Sequence, residues 1–439
     1  MIQEITIANE NRLSQYRCKR WATARPDFKP GRTGNYFRNK KFHQLIFLFF
    51  LLSCTARESE NQVTPLTVAD FDFNQPLGSQ GAQIQEIDTN HFEISLGSAP
   101  QHPDWANMVQ FMINGNAKGN KLVLDVKFDH PNPHYLFNDY FYSWSYDLDN
   151  WHPIHWENGP QVSGNQDQLI FPEFTRDTVY LGHQVPFSLP RLEQKIEQWR
   201  QNEMVEIITI GKSLGGNDLY RIVLTNYSNE KPTKPWVHYF ANQHPGEHNA
   251  HWRMVGMIDY LLGAGKSYLD HSINHFIMMS SPDAPHNGWY RVNAEGRDMN
   301  REYVVSGADS TLQGHEGYLL QKDFEQLMAS THPPVTAWAM HTWQGPVETW
   351  MIPGPEIGSE TADWEELKEL MQDNDPEGLL EELQNRASET DGSWGNGPHH
   401  QFGITTFLCE GGGNIYTRED NFKSGEIIMK SISSFYKGQ

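Results

Sequence analysis

Four apolar runs constrain this chain more than any other feature: "WVHYFA" (236–241), "HFIMMSS" (275–281), "PVTAWAM" (334–340) and "GITTFLC" (403–409). Each reads as a buried strand, and helical patterns at 249–263, 316–329 and 363–387 alternate with them. That alternation is the pattern of an α/β sheet. The third helix carries "EELKEL" and "EGLLEELQNR", which read as solvated acidic faces. Ahead of the first strand, "SLPRLEQKIEQWRQN" has the period of an amphipathic helix, with Ser188 as its N-cap. "MVEIITIGKSLGGNDLYRIVLTN" then predicts two strands joined through a Gly-Gly-Asn turn. The expectation for residues 187–439 is therefore one α/β domain.

Residues 66–186 are patterned differently. "HFEISLG", "NKLVLDVKF", "FYSWSYDL" and "DTVYLGHQVPF" alternate like strands, separated by "NGNAKGN", "HPNPH" and "NGPQ". No useful helical period appears, so this stretch predicts an all-β sandwich. Trp151, His152, His155 and Trp156 are expected as edge and core residues of that sandwich rather than as a ligand surface.

Polar chemistry gathers where the α/β strands end. The first run leads into His244 and Glu247, the third into His341, and the fourth into Glu410 followed by three glycines. Ligands of open α/β sheets collect at the carboxyl ends of the strands. Two imidazoles and a carboxylate form a donor set suited to catalytic zinc, with a fourth position left for water. A further carboxylate outside the set, Glu410, is placed to act as general base. The loop "SPDAPHNGWYRVNAEGRDMNREY" (281–303) supplies Arg291, Asn300 and Arg301, which would suit an anionic substrate end or an oxyanion; surface ion pairs are the other reading of that loop. His248, His251 and His332 are excluded from the metal set.

Charge and cysteines narrow the setting. Residues 1–53 hold ten lysines and arginines against three acids, a charge of +7, so the rest carries −28 to give the total of −21. A body that acidic is repelled by phosphate backbones, which argues against nucleic acid as a partner. Arg38, Lys40 and Lys41 precede the apolar run Leu45–Leu52, too short for a permanent span and matched to a signal segment. Its ending, "LLSC", resembles a bacterial lipobox. The expectation is a leader (1–53) removed before Cys54, lipid on Cys54 and a polar tether (54–65). The leader's basic region is too long for that class, which places the translation start downstream of Met1. Thr55 after the cysteine, in place of the aspartate of inner-membrane retention, points to the outer membrane and periplasm of the bacterial cell envelope. Cys409 then remains as the one thiol of the mature chain, so any metal site is built from histidine and carboxylate.

The order "HPGE", "SPD", "YR", "GRDMNR", "MH" and a strand ending in glutamate resembles the M14 zinc carboxypeptidases. It is most similar to their cytosolic-carboxypeptidase-like branch, which also sets a β-sandwich before the catalytic domain. "IGKSLGGNDLYRIVLTN" resembles the family's entry motif, with Asn217 where arginine is usual. The resemblance implies a mixed sheet flanked by helices. It implies one zinc ion per chain on His244, Glu247 and His341, with Asp298 orienting His244. It further implies Glu410 as general acid/base, Arg291 on the oxyanion, and Asn300 with Arg301 on the substrate's terminal carboxylate. The implied activity is removal of the C-terminal residue of peptides. A zinc-dependent amidase or deacylase acting on acylated amino acids or cell-wall peptides is the alternative, and a non-enzymatic surface lipoprotein is a third reading. The stretch "NRASETDGSWGNGPHHQF" has no tyrosine where the family places a mobile one, leaving Trp394, His399 and His400 as candidates to cover the site.

Overall fold

A computed structural model describes residues 63–74, 76–135, 141–154, 166–228, 234–342, 350–353, 361–380, 392–411 and 417–438. The leader, Cys54, His155, Trp156 and the two glycines after Gly411 lie outside the described residues. So do residues 381–387 of the expected acidic helix.

The sandwich consists of two sheets. One orders Phe71–Asp72, Phe111–Asn114, Thr178–His183, Tyr142–Ser145 and Trp151–Ile154; the other orders Gln166–Ile170, Val123–Lys127, His91–Ser95 and Gln83–Asp88. Period-two alternation sends Phe92, Ile94, Leu124, Val126, Phe111, Ile113, Val179 and Leu181 into one core between them. Trp151 and His152 sit on an edge strand, His152 against the ring of Trp144 and Trp151 against the core of the following α/β layer.

The α/β sheet has seven strands: β1 (Val205–Lys212), β2 (Asp218–Leu224), β3 (Trp236–Ala241), β4 (Ser272–Ile277), β5 (Thr336–Met340), β6 (Trp350–Pro353) and β7 (Thr405–Glu410). Their order is β1-β2-β4-β3-β5-β7-β6, with β4, β3, β5 and β7 parallel and antiparallel strands at both edges. It is a mixed sheet flanked by helices and preceded by strands, as expected. Helices α1 (Leu189–Trp199), α2 (His248–Leu262), α3 (His315–Met328), α4 (Thr361–Asp373) and α5 (Arg418–Gly438) cover it. Ser188 caps α1 by accepting from the Arg191 amide.

Both faces of the four parallel strands are buried, which explains runs that are apolar without a break. Phe240, Trp338, Phe407 and Phe276 stack in a row under α2, α4 and α5. Tyr239, Ala241, Ala337 and Ala339 point the other way, to Leu320 and Phe324 of α3.

Two expected spans change. The acidic helix stops at Asp373 instead of running to 387, because Asp375 precedes Pro376 and Gly378 takes a left-handed φ of 67°. Asp375 then accepts the amides of Leu379 and Leu380 and closes the turn. The run "HFIMMSS" contributes its first three residues to β4, which starts earlier, at Ser272 opposite Trp236. Met278 and Met279 are buried beyond the ladder, so apolarity there marks burial and not pairing.

Candidate active site

Three parallel strands deliver the site. Beyond β3 the chain turns through "HPGE" into α2, with Glu247 as the residue before the first helical turn. The turn is tight because the Gly246 amide donates to the Tyr290 carbonyl at 2.7 Å. A Cβ at Gly246 would lie 2.6 Å from the Tyr290 Cα, so only glycine fits. His341 follows β5 directly, and its amide donates to the Cys409 carbonyl, tying it to β7. Glu410 is the last residue of β7.

His244, Glu247 and His341 are all buried, and their donor atoms lie within 4.8 Å of one another. Glu247 faces both imidazoles, with Oε1 2.8 Å from His244 Nδ1 and Oε2 2.8 Å from His341 Nδ1. The Thr342 amide also donates to Oε2, at 2.9 Å. His244 Nε2 lies 3.0 Å from Asp298 Oδ1. Burial and the Arg291 charge pull the His244 pKa down, but Glu247 and Asp298 outweigh them and leave it raised. Burial would raise the carboxyl pKa of Glu247; the two imidazoles reverse this and hold it well below the usual range. Burial takes His341 down to about 4.

An imidazole between two carboxylates must donate from both nitrogens, which requires a cation at that position. Were His244 to hold a metal through the nitrogen facing Glu247, its Nε2–H would remain on Asp298, the usual partner arrangement of a metal-bound histidine. The donor set therefore fits zinc by its chemistry as well as by its proximity.

Asp298 does more than orient His244. Its Oδ2 accepts from Arg291 Nε at 2.6 Å, and its Oδ1 also takes the Asn300 amide at 2.9 Å. Burial would raise the Asp298 pKa, but His244 and Arg291 drive it far below the ordinary range. The metal set and the arginine are thus coupled through a single carboxylate. Asn300 is buried and its Oδ1 accepts from the Trp394 amide at 2.8 Å. Arg301 is exposed and, with Asp298, Tyr303 and His102 of the sandwich, lines a cleft of ≈ 390 Å³. Glu410 is partly exposed, yet desolvation, helped by the charge of Glu247, raises its carboxyl to about 7.

The residues singled out in the sequence therefore converge, while the bystanders separate. His248 and His251 are fully buried on α2, turned toward the sandwich: His248 lies near His183, and His251 stacks on Phe187 at 5.1 Å. Trp394 does not cover the cleft. It is a core residue between Tyr239, Tyr303 and Phe324. His399 is occupied in its own turn, with Nδ1 2.8 Å from the Ile404 carbonyl. Asn217, where the entry motif has arginine, donates to Asp283, which also binds Ser213 and the Gly215 amide. A residue that sequence reasoning passed over is Tyr135, within the "HPNPHY" turn segment of the sandwich; its ring lies 5.2 Å from the Arg291 guanidinium carbon. Nothing in its local pattern marks it.

Residues 192–373 match the family model described as Zinc carboxypeptidase (Peptidase M14). Cytosolic carboxypeptidase 2 of Homo sapiens is 31% identical over 145 residues, which is 31% of this chain and 17% of that protein. The Danio rerio protein of the same name is 32% identical over 152 residues, 32% of this chain and 21% of its own length. The chain thus spans about a fifth or less of the curated relatives it matches. Among solved structures, a metallo-carboxypeptidase from Burkholderia cenocepacia superposes with a TM-score of 0.70 at 17% identity, covering 84% of this chain and 99% of its own. One from Pseudomonas aeruginosa, in complex with (2-guanidinoethylmercapto)succinic acid, gives 0.66 at 18% identity, covering 84% and 99%. Those two likenesses are of fold.

Proposed function

We propose that the M14 zinc carboxypeptidase domain carried by this chain removes single C-terminal residues from peptides. The observation that supports this best is Asp298, which binds a metal-site histidine on one oxygen and Arg291 on the other. Zinc on His244, Glu247 and His341 would supply Lewis acidity toward a carbonyl and make a water acidic enough to deprotonate near neutral pH. Glu410, outside the donor set, takes a proton from the attacking water and returns it to the departing amine. Its carboxyl, raised to about 7, is matched to both transfers. Arg291 donates to the oxyanion as charge develops on the carbonyl oxygen. Asn300 and Arg301 hold the free carboxylate of the last residue.

The zinc-loaded protein, incubated with a mixed peptide library and followed by mass spectrometry, should shorten peptides one residue at a time from the C-terminus. C-terminally amidated peptides should be spared. Release of acyl groups, or cleavage of amidated and free peptides alike, would favour the amidase reading instead.

We also propose that Cys54 carries lipid and holds the protein at the bacterial cell envelope, at the outer membrane and periplasm. The support is the basic segment, the apolar run and "LLSC". Radiolabelled palmitate should enter the wild-type chain and not Cys54→Ser; equal labelling would refute it.

A further inference from the structure

One segment beside the sandwich, the strand pair Ser98–Ala99 and His102–Ala106, reaches to the site. Strand His102–Ala106 is fixed to the loop that carries Asp298, because His102 Nε2 lies 2.7 Å from the Gly296 carbonyl oxygen. Approach there is close: Gly296 has a φ of 75°, and a Cβ on it would meet the Pro100 oxygen at 2.3 Å. His102 stacks on Trp105 at 3.6 Å and 7°, and Trp105 meets the Tyr135 ring edge-on at 4.9 Å and 79°. Backbone bonds from Ala106 to His134 and from His134 to Asp104 hold the Tyr135 segment against this strand.

Tyr135 then packs on Tyr290 at 5.5 Å, and the guanidinium carbon of Arg291 sits 5.2 Å from its ring centroid. Its φ of 54° lies in the left-handed region, which is strained for an ordinary residue and persists only where the surroundings impose it. Arg291 is thus held on two sides, by the Asp298 carboxylate and by an aromatic ring from the N-terminal strand-rich region.

We propose that Tyr135 is a positioning residue for the hydrolysis, its ring fixing the Arg291 guanidinium in the orientation that meets the developing oxyanion. This rests on the reading of Arg291 given above. It also gives the sandwich a part in the reaction, exerted through Arg291 by way of Tyr135. An aromatic face attracts a cation electrostatically, so the effect belongs to the ring and not to the hydroxyl or to bulk alone.

The test compares Tyr135→Phe, Tyr135→Leu and a variant with pentafluorophenylalanine at position 135, which keeps the ring's shape and reverses its quadrupole. The expected result is near-wild-type turnover for Tyr135→Phe. In the other two, kcat should fall roughly 3- to 30-fold with KM within about twofold. A second readout does not need turnover: phenylglyoxal labelling of Arg291, mapped by mass spectrometry, should rise several-fold in those two variants and not in Tyr135→Phe. The fluorinated variant keeps the test sharp if leucine perturbs folding. Unchanged kcat together with unchanged labelling would overturn the proposal, as would a change in KM alone or a phenylalanine variant as damaged as leucine. A wild type that releases no C-terminal residue would refute the carboxypeptidase reading, while the labelling would still decide the placement of Tyr135.

Discussion

Replacing Asp298 by asparagine tests the coupling at the centre of the site. The carboxylate uses both oxygens, Oδ1 toward His244 Nε2 and the Asn300 amide, Oδ2 toward Arg291 Nε at 2.6 Å. An amide has the same shape but one acceptor oxygen, so one side must be lost. If the oxygen stays with His244, the amide N–H₂ faces the Arg291 N–H, donor against donor. Both side chains are little exposed, 12% for Asp298 and 13% for Arg291, so water replaces the lost partner poorly. A charge-assisted bond of this kind contributes about 1.5–3 kcal/mol. On the metal side, losing the carboxylate partner of a ligand histidine weakens affinity about 10- to 100-fold, which corresponds to about 1.4–2.7 kcal/mol. Asp298→Asn should therefore weaken zinc binding by that factor in competition with a chromogenic chelator. At saturating zinc its kcat should still be lower by tenfold or more, because Arg291 then keeps only the Tyr135 ring as a hold. A zinc Kd and a saturated kcat both within threefold of wild type would refute the coupling.

Three other substitutions address separate links. Glu410→Gln should retain zinc, measured by metal analysis, and lose about 10²- to 10⁴-fold in kcat; residual activity above a tenth of wild type would remove Glu410 as the base. Gly246→Ala should displace Tyr290 or the turn before Glu247, lowering both thermal stability and zinc content; an unaltered zinc Kd would mean the turn relaxes freely. Asp167, 8% exposed on a sandwich strand, has its carboxyl raised by burial to about 7. The unfolded chain releases that proton near pH 4 and the folded one holds it until about 7, so the group costs stability increasingly between those values. The cost levels off above pH 7 at no more than about 4 kcal/mol. Asp167→Asn should then stabilise against urea at pH 8 and make little difference at pH 4; an equal effect at both would contradict the assignment.

The α/β layer was legible because its strands are buried on both faces, leaving runs with no polar interruption, and β3 occupies the whole of "WVHYFA". Strand ends were less so. At β4 the sequence displays burial, whereas ladder pairing depends on the neighbouring strand, and burial runs past pairing into Met278 and Met279. The acidic helix was overextended because favourable helix formers resume after Asp375-Pro376, hiding a break that the proline imposes. His244, Glu247 and His341 were readable because each stands where a strand or its following turn ends. The double duty of Asp298 was half legible, since its place beside His244 followed from motif order and its bond to Arg291 did not. Tyr135 was out of reach: its partners Trp105 and Arg291 are distant in sequence, and only the folded chain brings them together.

The junction between sandwich and sheet has a consequence for how the protein unfolds. Trp252 of α2 donates its indole N–H to the Val185 carbonyl, Phe187 lies between His251 and Trp252, and Trp151 of the sandwich edge reaches the main α/β core. Cutting the chain at 186/187 would strip a helix whose inward face is buried along nearly its whole length. The two layers should therefore melt in a single cooperative transition, and the sheet expressed without the sandwich should be a poor folder. An inactivated protein would then have lost both halves at once, metal site and aromatic wall together.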